Sequence, residues 1–459
     1  MAQPAHPSPW RDEFAATLRL AGPLALANLL QMAVYASDVI FVARLGQEAL
    51  AASSLSVALL GLLMWGFSGL TSAVAPLIAA ELGRKSHAVR EVRRSMRMAF
   101  WLTAACGIAG MAICAFGQEI MLATGQDPRI AAQAGGFLGL LKWAIPPMIG
   151  CNVMRIFVSA CGRPSLGTWL TALAVLVNAA GNYAFVFGHL GAPAMGLKGS
   201  ALSSVLTAWV TLAAYGLAVM ADRRMRRFRL LGHFWRPDWE RLRDLLRIGT
   251  PIALTVLAEG GLFGSAAFLM GLIGKTELAA HTVALQIAAF AFQVPFGVGQ
   301  AATIRVGLAF GGQDRAGIAR AGWVGLALGT GFVALAALAM LAVPRLILSA
   351  YVDVSAPANA AMVALAVRYL MIAAAFQLFD GTQAVAAGVL RGLQDTRMPM
   401  AIAIFGYWLP GFGTAIWLGL RTPLGGLGVW FGLAIGLVVV ALLLLWRWVR
   451  RERLHLLRF

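Results

Sequence analysis

Charge is what this chain has least of. Only 12% of its 459 residues are Asp, Glu, Lys or Arg, about half the ~25% of an ordinary soluble domain, and that shortage excludes a water-soluble globular protein. Acidic groups are the scarcer sign, 19 against 37 basic ones. Cysteine is sparse too. Cys106, Cys114, Cys151 and Cys161 fall in or at the ends of apolar stretches, where a thiol serves as a small apolar filler, so the spacing suggests neither a disulfide framework nor a metal site. Catalytic signatures are missing as well. There is no HExxH, and Gly274-Lys275-Thr276 resembles the end of a phosphate-binding loop but has Leu269 where that motif needs Gly. A membrane-embedded acyl- or glycosyltransferase would need a catalytic cluster, and His6, His87, His189, His233, His281 and His455 form none. The opening MAQPAHPSPWRDEF carries Pro and acidic residues where a cleavable leader is basic, so the first apolar span is expected to stay in the mature protein.

What the chain has in abundance is apolar sequence. Hydrophobic residues make up 60% of it and the mean hydropathy is +0.78. Apolar runs recur near 18–43, 50–80, 96–116, 132–160, 165–188 and 197–220, then near 247–273, 279–309, 317–347, 366–390, 399–419 and 425–446. Each is close to the roughly 20 residues that span a bilayer as a helix. The pattern predicts an all-α integral membrane protein of twelve transmembrane helices.

The net charge of +18 is distributed by loop, which argues against nucleic-acid binding. Of the 37 basic residues, 29 fall on the side that carries both chain ends, the 84–97 loop and the 221–247 segment. Arg44, Arg129, Lys142, Lys198, Lys275, Arg345, Arg368 and Arg421 fall on the other. By the positive-inside rule both termini are cytoplasmic, and the basic stretches face anionic lipid.

The two halves match at an offset of 228: LRLAGPLAL at Leu18 with LRIGTPIAL at Leu246, Gly46 with Gly274, and GRKSHA at Gly83 with GGQDRA at Gly311. A duplicated six-helix unit places its second copy in the same orientation, related to the first by a pseudo-twofold axis along the membrane normal. The expected organisation is an N-terminal lobe at 1–220, a cytoplasmic linker with a short amphipathic helix at 221–246, and a C-terminal lobe at 247–459. Pro23, Pro146, Pro147, Pro251, Pro295 and Pro410 interrupt the spans, and Gly260, Gly261 and Gly264 surround Glu259.

Three carboxylates stand almost alone in this apolar background: Asp38, Glu259 and Asp380. An ionised carboxylate at the centre of a membrane helix costs roughly 2.5–3.5 kcal/mol, so each is expected to work as a cation or proton site. Asn28, Gln31, Tyr35 and Asp38 are spaced by 3, 4 and 3 residues, one face of the first helix, while Asn178 and Asn182 lie one turn apart on the fifth. Gln377, Asp380 and Gln383 share a face of the tenth helix, and Gln286, Gln293 and Gln300 repeat along the eighth. Gln31, Tyr35, Asn178, Asn182, Gln286, Gln377 and Gln383 are the candidate cavity-lining residues. Few basic residues are expected at this depth to neutralise the acids, which favours a cavity for cations. Two carboxylates with amide oxygens suit Na⁺ at Glu259 and Asp380, or a proton.

The segments QMAVYASDVIFVARLG, ALTVLAEGGLF, AAHTVALQ, PFGVGQAATIRVG and DGTQAVAAGVLRGLQDTRMP resemble the multidrug and toxic compound extrusion (MATE) family of the NorM type, over nearly the whole chain. The resemblance implies a two-lobe, twelve-helix antiporter of the bacterial inner membrane that exports cationic, often aromatic compounds in exchange for Na⁺ or H⁺, with no other cofactor. It implies an N-lobe polar site of Asp38 with Asn178 and Asn182, and a C-lobe cation site of Glu259 with Asp380. Some Na⁺-coupled members have Tyr one turn before the tenth-helix acid, where this chain has Phe376, so the coupling ion stays open. The alternative is a flippase for lipid-linked oligosaccharide or peptidoglycan precursors, whose anionic headgroups would want several Arg or Lys in the cleft. A monomer is expected, since the two fused halves already form the cleft.

Overall fold

The computed structural model describes residues 9–85, 87–232 and 234–457. The first eight residues of the leader reading, His6 among them, and also Ser86, His233 and Arg458, lie outside the described residues.

Among the described residues all regular structure is helical, and twelve helices are long and apolar enough to cross a membrane. In chain order they are α1 (Pro9–Ala43), α2 (Gln47–Arg84), α3 (Ala88–Ala115), α4 (Pro128–Ala160), α5 (Pro164–Phe187) and α6 (Leu197–Ala221). The second series is α7 (Trp239–Ile273), α8 (Lys275–Gly311), α9 (Arg315–Ala342), α10 (Pro357–Gly392), α11 (Arg397–Arg421) and α12 (Gly426–Val449). Each expected apolar run becomes one of them. All four cysteines are free.

The expected separate amphipathic helix of the 221–246 linker is corrected. Its turns belong to α7, which runs unbroken from Trp239 through Pro251 to Ile273. Leu245 and Ile248 are buried in these turns, so the apolar pattern of the span begins well before the bilayer stretch and nothing stops the helix. Pro23 and Pro251 lie inside α1 and α7, which a membrane helix tolerates where neighbours satisfy the freed carbonyl.

The chain divides into two compact units, Leu26–Ala253 and Met1–Ala25 with Leu254–Phe459. Neither boundary coincides with the expected linker at 221–246. Both cut a membrane helix, at positions 228 residues apart. The reason is local packing. In the first unit a Cβ on Gly249 of α7 would sit 2.1 Å from the Leu70 carbonyl oxygen of α2, and one on Gly69 would sit 2.7 Å from the Ala253 Cα. Glycine there lets the opening turns of α7 press against α2. Charges fasten the same turns: Arg241 donates to Glu81 at 3.1 Å and to Glu91, and Arg94 donates to Asp238 at 2.5 Å. That bond from Arg94 holds the Asp238 carboxyl below the ordinary Asp range. In the second unit a Cβ on Gly297 of α8 would meet the Ala25 backbone at 2.7 Å, and Arg305 of α8 donates to Glu13 of α1 at 2.8 Å.

Within the second unit α10 is the hub, packed on α8, α9 and α12. A Cβ on Gly388 of α10 would lie 2.3 Å from the Gly299 carbonyl oxygen of α8, the close helix approach that small residues permit. A π-helical turn, Tyr407–Phe412, interrupts α11 around Pro410. Proline supplies no N–H to the ladder and the turn widens there; Tyr407 is fully buried in it.

Candidate functional site

Asp38 lies in the last third of α1 with its carboxylate turned to α5 and α6. The Asn178 amide donates to Oδ1 at 3.0 Å, the Asn182 amide to the same oxygen at 2.7 Å, and the Ser204 hydroxyl to Oδ2 at 3.1 Å. Both asparagines are fully buried. Their one-turn spacing on α5 presents two amides side by side, and Ser203 ties the Asn178 carbonyl at 2.9 Å. The sequence pattern pointed to Asp38, Asn178 and Asn182; Ser204 was hidden in a run of serines whose hydroxyls ordinarily bond their own helix. Gln31 and Tyr35 share the stripe, half-buried and 41% exposed respectively, but the donors to Asp38 are the other three. Toward the start of the stripe the Arg155 guanidinium donates to Asn28 at 3.4 Å and to Asn152 at 3.1 Å.

In the second unit Glu259 of α7 and Asp380 of α10 are joined through one side chain. The Gln383 amide donates to Glu259 at 3.0 Å and to Asp380 at 3.3 Å, and its oxygen accepts from the Tyr407 hydroxyl at 2.9 Å. Asp380, Gln383 and Tyr407 are all buried. Tyr407 escaped the sequence reading; the only local signal was Pro410, which marks the π-turn that aims it. It brings a phenol to the site from α11, although Phe376 removes one from α10. Gln377 is fully buried on the same helix, yet its amide bonds neither acid. Gln286 is exposed on α8 and is not brought to them.

One basic residue acts on the pair: Arg391, at the C-terminal end of α10, is the positive charge that acts on Glu259. Side chains on a helix lean toward its N-terminus, so a long guanidinium at the C-terminal end of α10 reaches back toward the acid pair.

Chemically, two carboxylates held by the two N–H groups of one amide lie close enough to repel each other, and a proton or a metal cation between them removes that repulsion. As arranged, Gln383 turns its N–H to the acids and its oxygen to Tyr407. Protonation of either acid needs no rearrangement, whereas Na⁺ would need the amide to rotate and offer oxygen. Among the described residues no group of three or more His, Cys, Asp and Glu could hold a metal ion.

Comparison with known proteins shows the family. The MatE family model matches residues 23–184 and again 251–417, two copies whose starts are 228 apart. A "Probable multidrug resistance protein NorM" of Mesorhizobium japonicum is 46% identical over 97% of this chain and 95% of its own. The "Multidrug resistance protein NorM" of Burkholderia vietnamiensis is 38% identical over 94% and 92%. The crystal structure of the eukaryotic MATE transporter AtDTX14 superimposes with a TM-score of 0.85 at 19% identity over 98% of both chains, a likeness of fold. The chain belongs to the MatE family, a multi-pass membrane transporter and not an enzyme.

Proposed function

We propose that this chain is a multidrug efflux antiporter that exports cationic, often aromatic compounds across the bacterial inner membrane in exchange for Na⁺ or H⁺, with both termini cytoplasmic. The observation that supports it most is the acid pair: Glu259 and Asp380 share the single Gln383 amide, and from Arg247 to Ile273 of α7 and from Tyr369 to Leu390 of α10 they are the only acidic residues. The names of the NorM relatives point the same way. Asp38 with its three donors is the second cation-responsive site. Substrate cation and coupling ion compete for these carboxylates, so entry of the ion weakens drug binding and resets the cycle. The membrane potential alone supplies about 2.3 kcal/mol per charge for each 100 mV.

The test is ethidium efflux from proteoliposomes under an imposed Na⁺ gradient or an imposed pH gradient, with wild type beside Asp380→Asn. Efflux driven by one gradient and lost in the variant is expected. Absence of efflux under both gradients would reject antiport and favour the lipid-linked flippase.

A further inference from the structure

Most of the buried side-chain polar atoms without partners among the described residues of the second unit belong to four side chains of α8, α10 and α12. His281 of α8 is 1% exposed and neither ring nitrogen has a hydrogen-bond partner; the same holds for the Tyr369 hydroxyl, the Trp430 indole N–H and both amide atoms of Gln377. The first three form one aromatic cluster. The His281 ring lies 5.4 Å from that of Trp430 on α12, Tyr369 of α10 stacks on the same indole at 5.9 Å, and Phe376 closes it at 5.4 Å. Gly426 makes room for it, since a Cβ there would fall 1.9 Å from the Tyr369 hydroxyl. Gln377 lies two turns after Tyr369 on the same row of α10, with Ala373 between them, and one turn before Asp380. The row from Tyr369 to Asp380 is about 16 Å long at 1.5 Å per residue.

Protein interiors satisfy such groups with ordered water, and a polar row past a small residue is where a chain of it fits. The donor set also chooses between ions. Trp430 offers only an N–H, which repels a metal cation, whereas imidazole, hydroxyl and amide both give and accept hydrogen bonds. On the antiporter reading, His281 and Tyr369 stand near the outer end of the membrane and Asp380 near its middle.

We propose that His281, Tyr369, Trp430 and Gln377 line a buried hydrated path that delivers protons to Asp380, with His281 as the relay. One ring nitrogen of His281 accepts a proton from water on the outer side, the other releases one to the water chain, and Asp380 takes the proton at the far end, so no charge is created or lost. The charged and titratable groups around the path are Glu277 on α8, Glu259 on α7, Asp380 and Arg391 on α10, and Tyr407 on α11; α12 adds none before Arg447.

Hydroxyl-radical footprinting by X-ray radiolysis of the purified wild-type protein tests the water without transport, because it oxidises buried side chains that touch internal water. Tyr369 and Trp430 should be modified far faster than Phe157, which is equally buried in an apolar core; equal protection would overturn the path. Ethidium efflux in proteoliposomes tests the relay. His281→Phe and, separately, Gln377→Leu should slow pH-driven efflux about tenfold or more and flatten its dependence on external pH. Wild-type speed and pH profile in both variants would overturn the relay. Efflux driven by Na⁺ and indifferent to the pH gradient would overturn the choice of proton while leaving the antiporter reading intact. No efflux under either gradient, with Tyr369 and Trp430 labelled, would reject the antiporter and the proton delivery together and leave only the water.

Discussion

At the scale of single residues, the two acid sites differ in how their negative charge is held. Asp38 receives three donors on two oxygens, so its anion is well satisfied alone. Glu259 and Asp380 divide one amide, so theirs is not. A hydrogen bond to a charged group is worth about 1.5–3 kcal/mol. Asn182→Leu should therefore cut ethidium efflux about tenfold or more while the purified protein still elutes as a single species. At the pair, Tyr407→Phe removes the bond that keeps the Gln383 N–H groups turned to the acids; the freed oxygen can turn to an entering cation, so the affinity for the coupling ion should rise about fivefold, on the order of 1 kcal/mol, measured as the ion concentration that half-activates efflux. What was legible here was isolation: a lone carboxylate in an apolar span advertises itself, and Asn178 with Asn182 do so by one-turn spacing. Ser204, Tyr407 and Arg391 were not legible. A serine in a helix has its own carbonyls to bond, a tyrosine next to a tryptophan in an apolar span reads as interfacial, and the reach of Arg391 depends on side-chain direction.

Among the helices, the first turns of α1 and α7 carry the least visible part of the architecture. Glu13 and Arg241 occupy matching places in the duplicated sequence, 228 residues apart, and bear opposite charges; each pairs with its complement, Arg305 for Glu13 and Glu81 with Glu91 for Arg241. Reversing one charge should destabilise and reversing both should restore. Glu13→Arg is expected to cost about 1 kcal/mol, as for a partly exposed pair, and Glu13→Arg with Arg305→Glu to recover most of the melting temperature. The Arg94–Asp238 pair has a pH signature. The Asp238 pKa is lower in the folded state, so its contribution is present above the ordinary Asp value of 3.8 and is lost as pH falls through the folded value. Thermal melts in detergent should show Arg94→Ala destabilised at neutral pH and the gap to wild type closing in acid. Inside α10, Gly388→Ala drives a methyl against the Gly299 carbonyl and should cost about 1–3 kcal/mol. Span positions follow from apolar runs, but partners far apart in the chain leave no local pattern, which is why the pairings of Glu13 with Arg305 and of Arg241 with Glu81 could not be read from the sequence.

For the molecule as a whole, the duplication is the plan and the divergence is the function. The two matches to the family model start 228 residues apart, as do the two unit boundaries, yet one copy kept a single acid among amides and the other an acid pair. That repeat was legible because glycines, prolines and LRxxxPxAL survive in register, whereas the unlike chemistry of the copies needed side chains placed in space. The most direct measurement is the equilibrium affinity of the purified protein for ethidium, followed by fluorescence anisotropy while Na⁺ concentration and pH are varied in turn. Competition for Glu259 and Asp380 predicts that the wild-type dissociation constant rises with one of the two ions and that Asp380→Asn flattens the dependence. A dissociation constant indifferent to both ions, or the same dependence in Asp380→Asn, would contradict coupling through the acid pair.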